Sequence, residues 1–364
     1  MSVPTQLLLL TTTLTEGNHI MTAYATDSAG NISTVSDNYR VRIDVTKPNT
    51  PTISGISTDS GVSSSDEITN DQTLLVSGTA EANSQIQLFN GGSTVGTVNT
   101  NGSGNWTYDY TGTTLAGGTY NLTVTAMDSA GNTSSTSAGL VVVVDTTAPK
   151  AAVLSSTNSD DEYNEDSKLT ITMEFPETVL VSGTPKLELE TGASDAIATY
   201  VSGSNSKVLS FEYTVGSQNT SADLENTSVK AFALGTATIV DIAGNDADTT
   251  LPKLGGGNSL SDNKDLVINA KPTITSMTDF EACLGDTASQ NVTVNDIDDV
   301  NSTLKVTGRS SNKGLIKDKN IFVIGADGNK TIKMFPTFGQ IGTSTITIKV
   351  EDDNGSADSV SFDI

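Results

Sequence analysis

The sequence predicts an all-β protein made of tandem antiparallel β-sandwiches, and three observations lead to this fold class. Apolar and polar residues alternate in strand-like segments such as LTVTAM at 122–127 and LTITMEF at 169–175. Gly-Gly and Asn-Gly pairs, as at 91–92 and 101–102, separate such segments and favour tight hairpins. A long internal repeat indicates that whole sandwiches recur along the chain. No window has helical periodicity, apart from a single turn near 221–227.

The repeat has a period of 101 residues. TTLTEGNHIMTAYATDSAGN at 12–31 aligns without a gap with TTLAGGTYNLTVTAMDSAGN at 113–132, and IDVTKP at 43–48 then falls on VDTTAP at 144–149. A sandwich domain has about 100 residues, so the repeating unit is a whole domain. Looser copies of the DSAGN turn at 241–245 and 352–355 extend the prediction to four modules.

Prolines that open new strand patterns, Pro48, Pro149 and Pro272, mark the predicted boundaries. Linkers of only a few residues should join the modules into an extended array. Half a sandwich cannot close a core, so the first, truncated module should be the least stable part and is interpreted as an internal piece of a longer chain. The predicted domains are 1–47 (the C-terminal part of the truncated module), 48–146, 147–270 and 271–364.

Composition excludes several classes of function. The chain has 19 lysines and arginines against 43 aspartates and glutamates, which gives a net charge of −24. Binding to nucleic acid and insertion into a membrane are therefore not expected. Cys283 is the single cysteine and His19 the single histidine, which excludes disulfides, cysteine-rich metal sites and histidine-based zinc sites in the later modules. Cys283 is expected to be a small buried or half-buried residue. The leucine run 7–10 is too short to span a bilayer, and no targeting segment is visible.

Acidic residues from distant parts of the sequence are expected to meet where successive sandwiches join. In an immunoglobulin-type sandwich, the entering linker, an early loop and the last hairpin lie at one end. Crowded carboxylates repel one another, and a hard divalent cation with six to eight oxygen ligands would relieve that repulsion. Calcium is therefore the predicted ion. The candidate ligands are Asp44, Glu81 and Asp128 at the first junction, Asp145, Glu174 or Glu177 and Asp241 at the second, and Asp296, Asp298, Asp299, Asp352 and Asp353 at the third.

Two features of these candidates keep another interpretation open. An aspartate before Ser-Ala-Gly-Asn can cap its own turn without any metal. The linker position of the third junction carries Asn269 instead of aspartate. Further acids lie in NSDDEYNEDS at 158–167, which either bind additional ions or are simply solvated.

A non-catalytic protein is predicted, although paired carboxylates such as Asp160 with Glu174 would suit a glycoside hydrolase. The acidic loops have no accompanying pocket, aromatic platform or basic electrophile in the sequence pattern. Trp106 could stack on a sugar, but a tryptophan on a strand after a glycine turn is typical of a sandwich core.

The motifs TDSGVSSSDEITNDQTLLVSGTAEANSQIQLFNGG, DSAGN and VDTTAP resemble bacterial Ig-like tandem repeats of giant calcium-dependent surface adhesins. The segment 150–270 resembles another Ig- or cadherin-like repeat, and 271–364 does so loosely. The resemblance implies a calcium-stiffened spacer of a secreted or cell-surface adhesin acting in cell adhesion and biofilm formation, with neighbouring modules as partners and a host-surface or matrix ligand beyond them. It assigns ligand roles to Asp44, Asp128, Asp145 and Asp241. The alternative is an array of non-catalytic, carbohydrate-binding modules on an extracellular enzyme.

Overall fold

The structure is a computed structural model that describes residues 13–283 and 285–364. The leucine run 7–10 lies outside the described residues. The chain divides into two compact units: the first comprises the described residues up to Thr147 with Ile242–Asn245, and the second comprises Ala148–Asp241 with Asp246–Ile364. Within the described ranges, no helix combines the length and hydropathy needed to cross a bilayer. The predicted all-β fold class is confirmed.

The N-terminal part of the first unit is an antiparallel hairpin. Strands β1 (Gly17–Met21) and β2 (Tyr39–Ile43) pair with Gly17 opposite Ile43. Ile20 and Tyr39 are exposed, and none of the described residues before Pro48 belongs to a buried hydrophobic cluster. This hairpin is therefore held by strand pairing and turn hydrogen bonds instead of a core.

The rest of the first unit contains a two-sheet sandwich whose sheets have the strand orders β3-β5-β8 and β4-β10-β9-β6-β7. The strands are β3 (Thr52–Ser57), β4 (Ile68–Thr69), β5 (Leu75–Thr79), β6 (Gln85–Asn90), β7 (Ser93–Asn99), β8 (Asn105–Asp109), β9 (Gly118–Met127) and β10 (Leu140–Val144).

Trp106 on β8 belongs to the core of this sandwich, as predicted, and only 3% of its surface is exposed. Its indole lies against Gly78 on the neighbouring strand β5. A Cβ atom at position 78 would lie 2.5 Å from Trp106 Cζ2 and 2.0 Å from the carbonyl oxygen of Thr52. Glycine is thus required here by close packing, and Trp106 presents no exposed ring for a sugar.

In the first unit, one strand pair differs from the predicted antiparallel arrangement. Strand β4 pairs in parallel with β10, with Ile68 opposite Val143 and Thr69 opposite Val144. The chain crosses from the first sheet to the second after β3, so it meets the last strand running in the same direction. Sequence alternation does not report strand direction, which is why this pair was not anticipated.

The second unit begins with a larger sandwich. Its main sheet has the order β11-β13-β16-β15-β14-β17, with β18 paired to β14 and β19 to β13, while β12 and β20 form a separate parallel pair. The strands are β11 (Val153–Ser156), β12 (Asp161–Tyr163), β13 (Lys168–Ser182), β14 (Lys186–Glu190), β15 (Ala196–Ser202), β16 (Ser206–Thr214), β17 (Glu225–Asn226), β18 (Phe232–Ala233), β19 (Thr238–Asp241) and β20 (Leu266–Ile268).

Helix α1 (Leu260–Asn263) lies before β20. The prediction of a helical turn near 221–227 was wrong, because that segment contains the short strand β17. The backbone N and Oγ of Ser259 both donate to Asp262 Oδ2, at 3.0 and 2.7 Å. This local capping stabilises the first turn. A helix of four residues is too short to produce a periodic pattern in the sequence.

The C-terminal sandwich of the second unit has the sheets β21-β22-β25-β24 and β23-β26-β27 around a core that includes Ile332, Ile348 and Phe362. A 3₁₀ turn spans Asp318–Asn320. The strands are β21 (Thr273–Ile274), β22 (Ala288–Asn295), β23 (Lys305–Ser310), β24 (Ile321–Ile324), β25 (Asn329–Met334), β26 (Thr345–Glu351) and β27 (Ala357–Asp363).

The expectation that Cys283 is buried or half-buried was wrong, since its side chain is exposed. Cys283 lies in the connection between β21 and β22, and neither Cys283 nor the preceding Ala282 belongs to a strand. Without a sheet face to direct it inward, its small apolar side chain stays at the surface.

Candidate metal centre

Three aspartates converge within the second unit, where the linker before Pro272 leads into the C-terminal sandwich. The loop after β22 supplies Asp296 and Asp299, and the hairpin between β26 and β27 supplies Asp352. One carboxylate oxygen from each lies within 4.8 Å of the other two. We call these three residues the aspartate cluster. It combines residues 56 positions apart, because the loop and the hairpin lie at the same end of the sandwich.

Two of the three aspartates in the cluster are buried, and the cluster is incompletely hydrogen-bonded. Asp296 is 7% exposed and Asp352 is 5% exposed. Oδ2 of Asp296 and Oδ2 of Asp299 are both buried without a hydrogen-bond partner. Buried anionic oxygens without donors are costly, because nothing replaces the water that they lose. A cation among these oxygens would remove that cost.

Asp352 is held in place by the hairpin and by the linker. Its Oδ1 accepts hydrogen bonds from the backbone N of Asn354 at 3.0 Å and of Ser356 at 2.8 Å. Its Oδ2 accepts one from Asn269 Nδ2 at 3.1 Å, and the same amide lies 2.9 Å from Asn164 Oδ1. Asparagine at the linker position therefore supplies a donor to the aspartate cluster, where an aspartate would have added another negative charge.

Asp298 faces the linker and ties the two sandwiches of the second unit together. Its Oδ2 accepts hydrogen bonds from the backbone N of Ala270 at 2.7 Å and from Thr220 Oγ1 at 3.0 Å. Burial alone would raise the pKa of Asp298, but the neighbouring Asp296 carboxyl group and the hydrogen bonds from Ala270 and Thr220 bring it below its ordinary value. Asp298 thus stays ionised while anchoring the linker.

Asp296 and Asp299 behave in the opposite way. Burial, together with the neighbouring Asp298, raises the pKa of Asp296 to about 7. Burial and then the charges of Asp298, Asp352 and Asp353 raise the pKa of Asp299. Ionisation of Asp296 and of Asp299 is unfavourable because low solvation and like charge act together.

Glu162 is a member of this site that sequence reasoning did not assign to the junction. Burial and then the charges of Asp352, Asp299 and Asp298 raise its pKa, and Asn354 Nδ2 donates a hydrogen bond to its Oε1. The parallel pairing of β12 with β20 places Glu162 opposite Val267, two residues before Asn269. The acidic run at 158–167 was the available signal, but only the strand pairing directs Glu162 to the junction.

The structure treats the remaining third-junction candidate, Asp353, differently. Its side chain is exposed, and it does not belong to the aspartate cluster. The backbone hydrogen bonds of the hairpin turn Asp352 inward, which leaves the next residue facing solvent.

The first-junction candidates are engaged in local hydrogen bonds. Asp128 Oδ1 accepts from the backbone N of Ala130 and Asn132 at 2.9 and 2.8 Å, which is the turn chemistry weighed above. Asn132 Nδ2 bridges Asp128 Oδ2 at 2.8 Å and the backbone carbonyl of Asp44 at 3.1 Å. Asp44 Oδ2 pairs with Arg42 at 2.9 Å. The Glu81 side chain is exposed, and within the described ranges none of Asp44, Glu81 and Asp128 belongs to a three-carboxylate group.

The second-junction candidates are divided between the two units. In the first unit, Asp145 Oδ1 accepts a hydrogen bond from the backbone N of Thr147 at 2.9 Å. In the second unit, a carboxylate oxygen of Glu177 lies within 4.8 Å of one of Asp241, whose side chain is buried. Of the two alternatives Glu174 and Glu177, Glu174 is the one that points to solvent from β13.

The structure consists of tandem Ig-like β-sandwiches, and three aspartates converge where one sandwich of the second unit leads into the next. Residues 47–146 match the family model of the bacterial Ig-like domain, and residues 104–213 match that of the bacterial Ig-like domain (group 3). Residues 47–213 therefore carry bacterial Ig-like repeats. No catalytic family is among these matches.

Several solved structures are similar to this chain. One is a tetra-tandem repeat from the extending region of a large adhesion protein, with 20% identity, coverage of 96% of this chain and 82% of that chain, and a TM-score of 0.27. Another is the Escherichia coli adhesin FdeC, with 12% identity, coverage of 87% of this chain and 96% of that chain, and a TM-score of 0.30. A third is the human desmocollin-1 ectodomain, with 10% identity, coverage of 95% and 66%, and a TM-score of 0.32. No curated protein sequence matches the chain.

Proposed function

We propose that this chain is a spacer segment of a secreted or cell-surface adhesin, acting in cell adhesion and biofilm formation, and that Ca²⁺ stiffens the joints between its modules. The observation that carries the proposal is the pair of buried, unpartnered oxygens on Asp296 and Asp299 beside Asp352. The matches of residues 47–146 and 104–213 to bacterial Ig-like domains support the non-catalytic, modular part of the proposal.

Calcium suits the chemistry of this donor set. All three ligand atoms of the aspartate cluster are carboxylate oxygens, and hard cations with flexible coordination prefer such ligands. Asp296, Asp299 and Asp352 would hold the ion, and Glu162 adds a fourth carboxylate from the preceding sandwich. Extracellular calcium modules bind with dissociation constants on the order of 10⁻⁴ to 10⁻³ M, and we expect that range here.

The ion would act mechanically by cancelling repulsion across the joint. Glu162 belongs to one sandwich of the second unit, while Asp299 and Asp352 belong to the next. With a cation between them, all of these carboxylates are attracted to the same ion. Without it, like charges face one another across a linker of a few residues, and bending of the linker relieves the repulsion.

The same role is proposed for the carboxylates predicted at the other two joints. At the first joint they are Asp44, Glu81 and Asp128. At the second joint they are Asp145, Asp241 and either Glu174 or Glu177. Because Asp44 and Asp128 already have local hydrogen-bond partners, calcium binding there would have to compete with those bonds.

Calorimetric titration of the full chain with Ca²⁺ after chelation tests the proposal. Asp296→Asn with Asp352→Asn should remove one bound ion. Asp353→Asn, which removes one charge from the exposed neighbour of Asp352, should leave the stoichiometry unchanged. At a calcium concentration 100 times the dissociation constant, linkage predicts about 2.7 kcal/mol of stabilisation of the C-terminal sandwich. Equal ion binding by the wild type and the double variant would refute the site.

A further inference from the structure

The outer face of the sheet β21-β22-β25-β24 is a second surface of interest, on the side opposite the core. Ile332, Met334 and Val292 point into the core, so the alternate residues of β25 and β22 point outward. The register places Phe322 opposite Lys333 and Ile324 opposite Thr331. We call this surface the outer face; its residues are Thr275, Ser289, Asn291, Thr293, Phe322, Ile324, Asn329, Thr331 and Lys333.

One side of the outer face is apolar and exposed. Phe322 and Ile324 lie on the edge strand β24, and each is 49% exposed. Phe322 contacts Phe335 edge-to-face, with ring centroids 5.5 Å apart and an interplanar angle of 85°, so its ring is held at a fixed orientation. Phe338, in the connection that follows β25, is 90% exposed. Grouped exposed apolar side chains at a fixed position are typical of interaction surfaces.

The other side of the outer face is a shallow polar depression of about 320 Å³. Its lining includes the side chains of Asn291, Thr293, Asn329 and Thr331, and Thr331 Oγ1 donates to Asn291 Oδ1 at 2.9 Å. Amides and hydroxyls both donate and accept hydrogen bonds. Such a lining matches a ligand that is rich in hydroxyl groups.

The segment that contains β24 and β25, together with parts of the opposite sheet, is positively charged, whereas the whole chain is negatively charged. Residues 305–349 contain eight of the 19 lysines and arginines but only two of the 43 acidic residues. None of the nine outer-face residues is acidic, and Lys333 lies between the aromatic side and the polar side. Lys333 takes part in none of the ion pairs among the described residues. A partner that carries carboxylates is therefore favoured on electrostatic grounds.

We propose that the outer face binds a carboxylated polysaccharide. The apolar C–H face of one sugar ring would pack on Phe322, sugar hydroxyls would bond to Asn291 and Thr331, and a uronate carboxylate would pair with Lys333. The flat, open face suits a chain of rings, and its repeated amides and hydroxyls favour a sugar over an acidic peptide or a lipid surface. The inference adds ligand binding to the spacer role and does not depend on the calcium site.

Biolayer interferometry with the full chain tests this inference in chelator, so that the calcium site has no part in the result. The probes are hyaluronate and polygalacturonate, with neutral dextran for comparison. Binding to at least one uronate polymer, weakened at least about tenfold by Phe322→Ser and by Lys333→Gln, is expected. Phe322→Tyr keeps the ring and should retain binding.

Lys349→Gln is the matched control, because it removes one charge from the same sandwich on the opposite sheet. It should change affinity by less than about twofold, and circular dichroism should report an unchanged fold for all variants. Equal binding to dextran, no binding to either uronate polymer, or equal loss in Lys349→Gln would overturn the inference. Preferred binding to phosphatidylserine vesicles or to an acidic peptide would replace the polysaccharide with another partner and would also overturn it.

Discussion

Raising the pH in the absence of divalent cations should destabilise the C-terminal sandwich, because Asp296 then loses a proton in a buried site. Its pKa is about 7 in the folded chain against an ordinary value of 3.8. The folded state therefore binds more protons than the unfolded state between these values, and stability falls as the pH rises through that window. The raised pKa values of Asp299 and Glu162 act in the same direction. The lowered pKa of Asp298 acts only below its ordinary 3.8, outside the window.

The size of this loss of stability follows from the shift in the pKa of Asp296. A difference of about three pH units corresponds to an upper bound of about 4 kcal/mol over the whole window, and about 3 kcal/mol between pH 5 and pH 8. Above pH 7 the dependence should flatten. Saturating calcium should remove the loss, since the ion stabilises the ionised aspartate cluster.

Scanning calorimetry of the full chain in chelator at pH 5, 6, 7 and 8 measures this dependence. The relevant transition is the one that Asp296→Asn shifts. An amide at position 296 cannot ionise, so the variant should lose most of the pH dependence and keep only the smaller part that Asp299 and Glu162 contribute. Asp353→Asn, at the exposed neighbouring position, should keep the wild-type slope. Parallel pH profiles for the wild type and Asp296→Asn would refute the reasoning.

Three further predictions concern packing and the linker. Gly78→Ala should lower the unfolding free energy of the first unit by about 1–3 kcal/mol, measured with denaturant, because the new Cβ would meet backbone and indole atoms. Gly102→Ala is the control and should be nearly neutral, since nothing lies within 4 Å of its Cβ. Similar losses in both variants would contradict the packing argument. Asn269→Ala should cost about 1–3 kcal/mol, measured by calorimetry at pH 8 in chelator, because a buried aspartate oxygen loses its donor. Phe211→Ala should cost about 3–5 kcal/mol, since Phe211 is fully buried between two aromatic rings; a loss below 1 kcal/mol would show that the cavity collapses.

The repeated turn shows how far local sequence determines structure. Asp27 and Asp128, 101 residues apart, accept hydrogen bonds from Asn31 and Asn132 in the same way, with backbone N to Oδ1 distances of 2.9 and 2.8 Å. The motif DSAGN contains both partners, so every copy can form this turn without help from the rest of the chain. The same locality made the strands and the buried position of Trp106 predictable.

The parallel strand pairs and the exposed Cys283 were not predictable in this way. Alternation identifies a strand and its buried face, but not its neighbour or its direction. Strand β12 lies in an acidic segment whose sequence is equally compatible with a solvated loop. Its pairing with β20 is a contact between residues about 100 positions apart, which no local pattern encodes.

By itself, the sequence determined the class of fold, the repeat, and the set of oxygen ligands from which a metal site could be drawn, because these depend on composition and on spacing along the chain. The tertiary structure decided which of those ligands meet. It buried Asp296 and Asp352, left Asp353 in solvent, brought in Glu162, and gave Asn269 the role of donor. Burial and the direction of a side chain are set by packing between distant strands, and they decide whether a carboxylate is a solvated surface group or a charge that needs a cation.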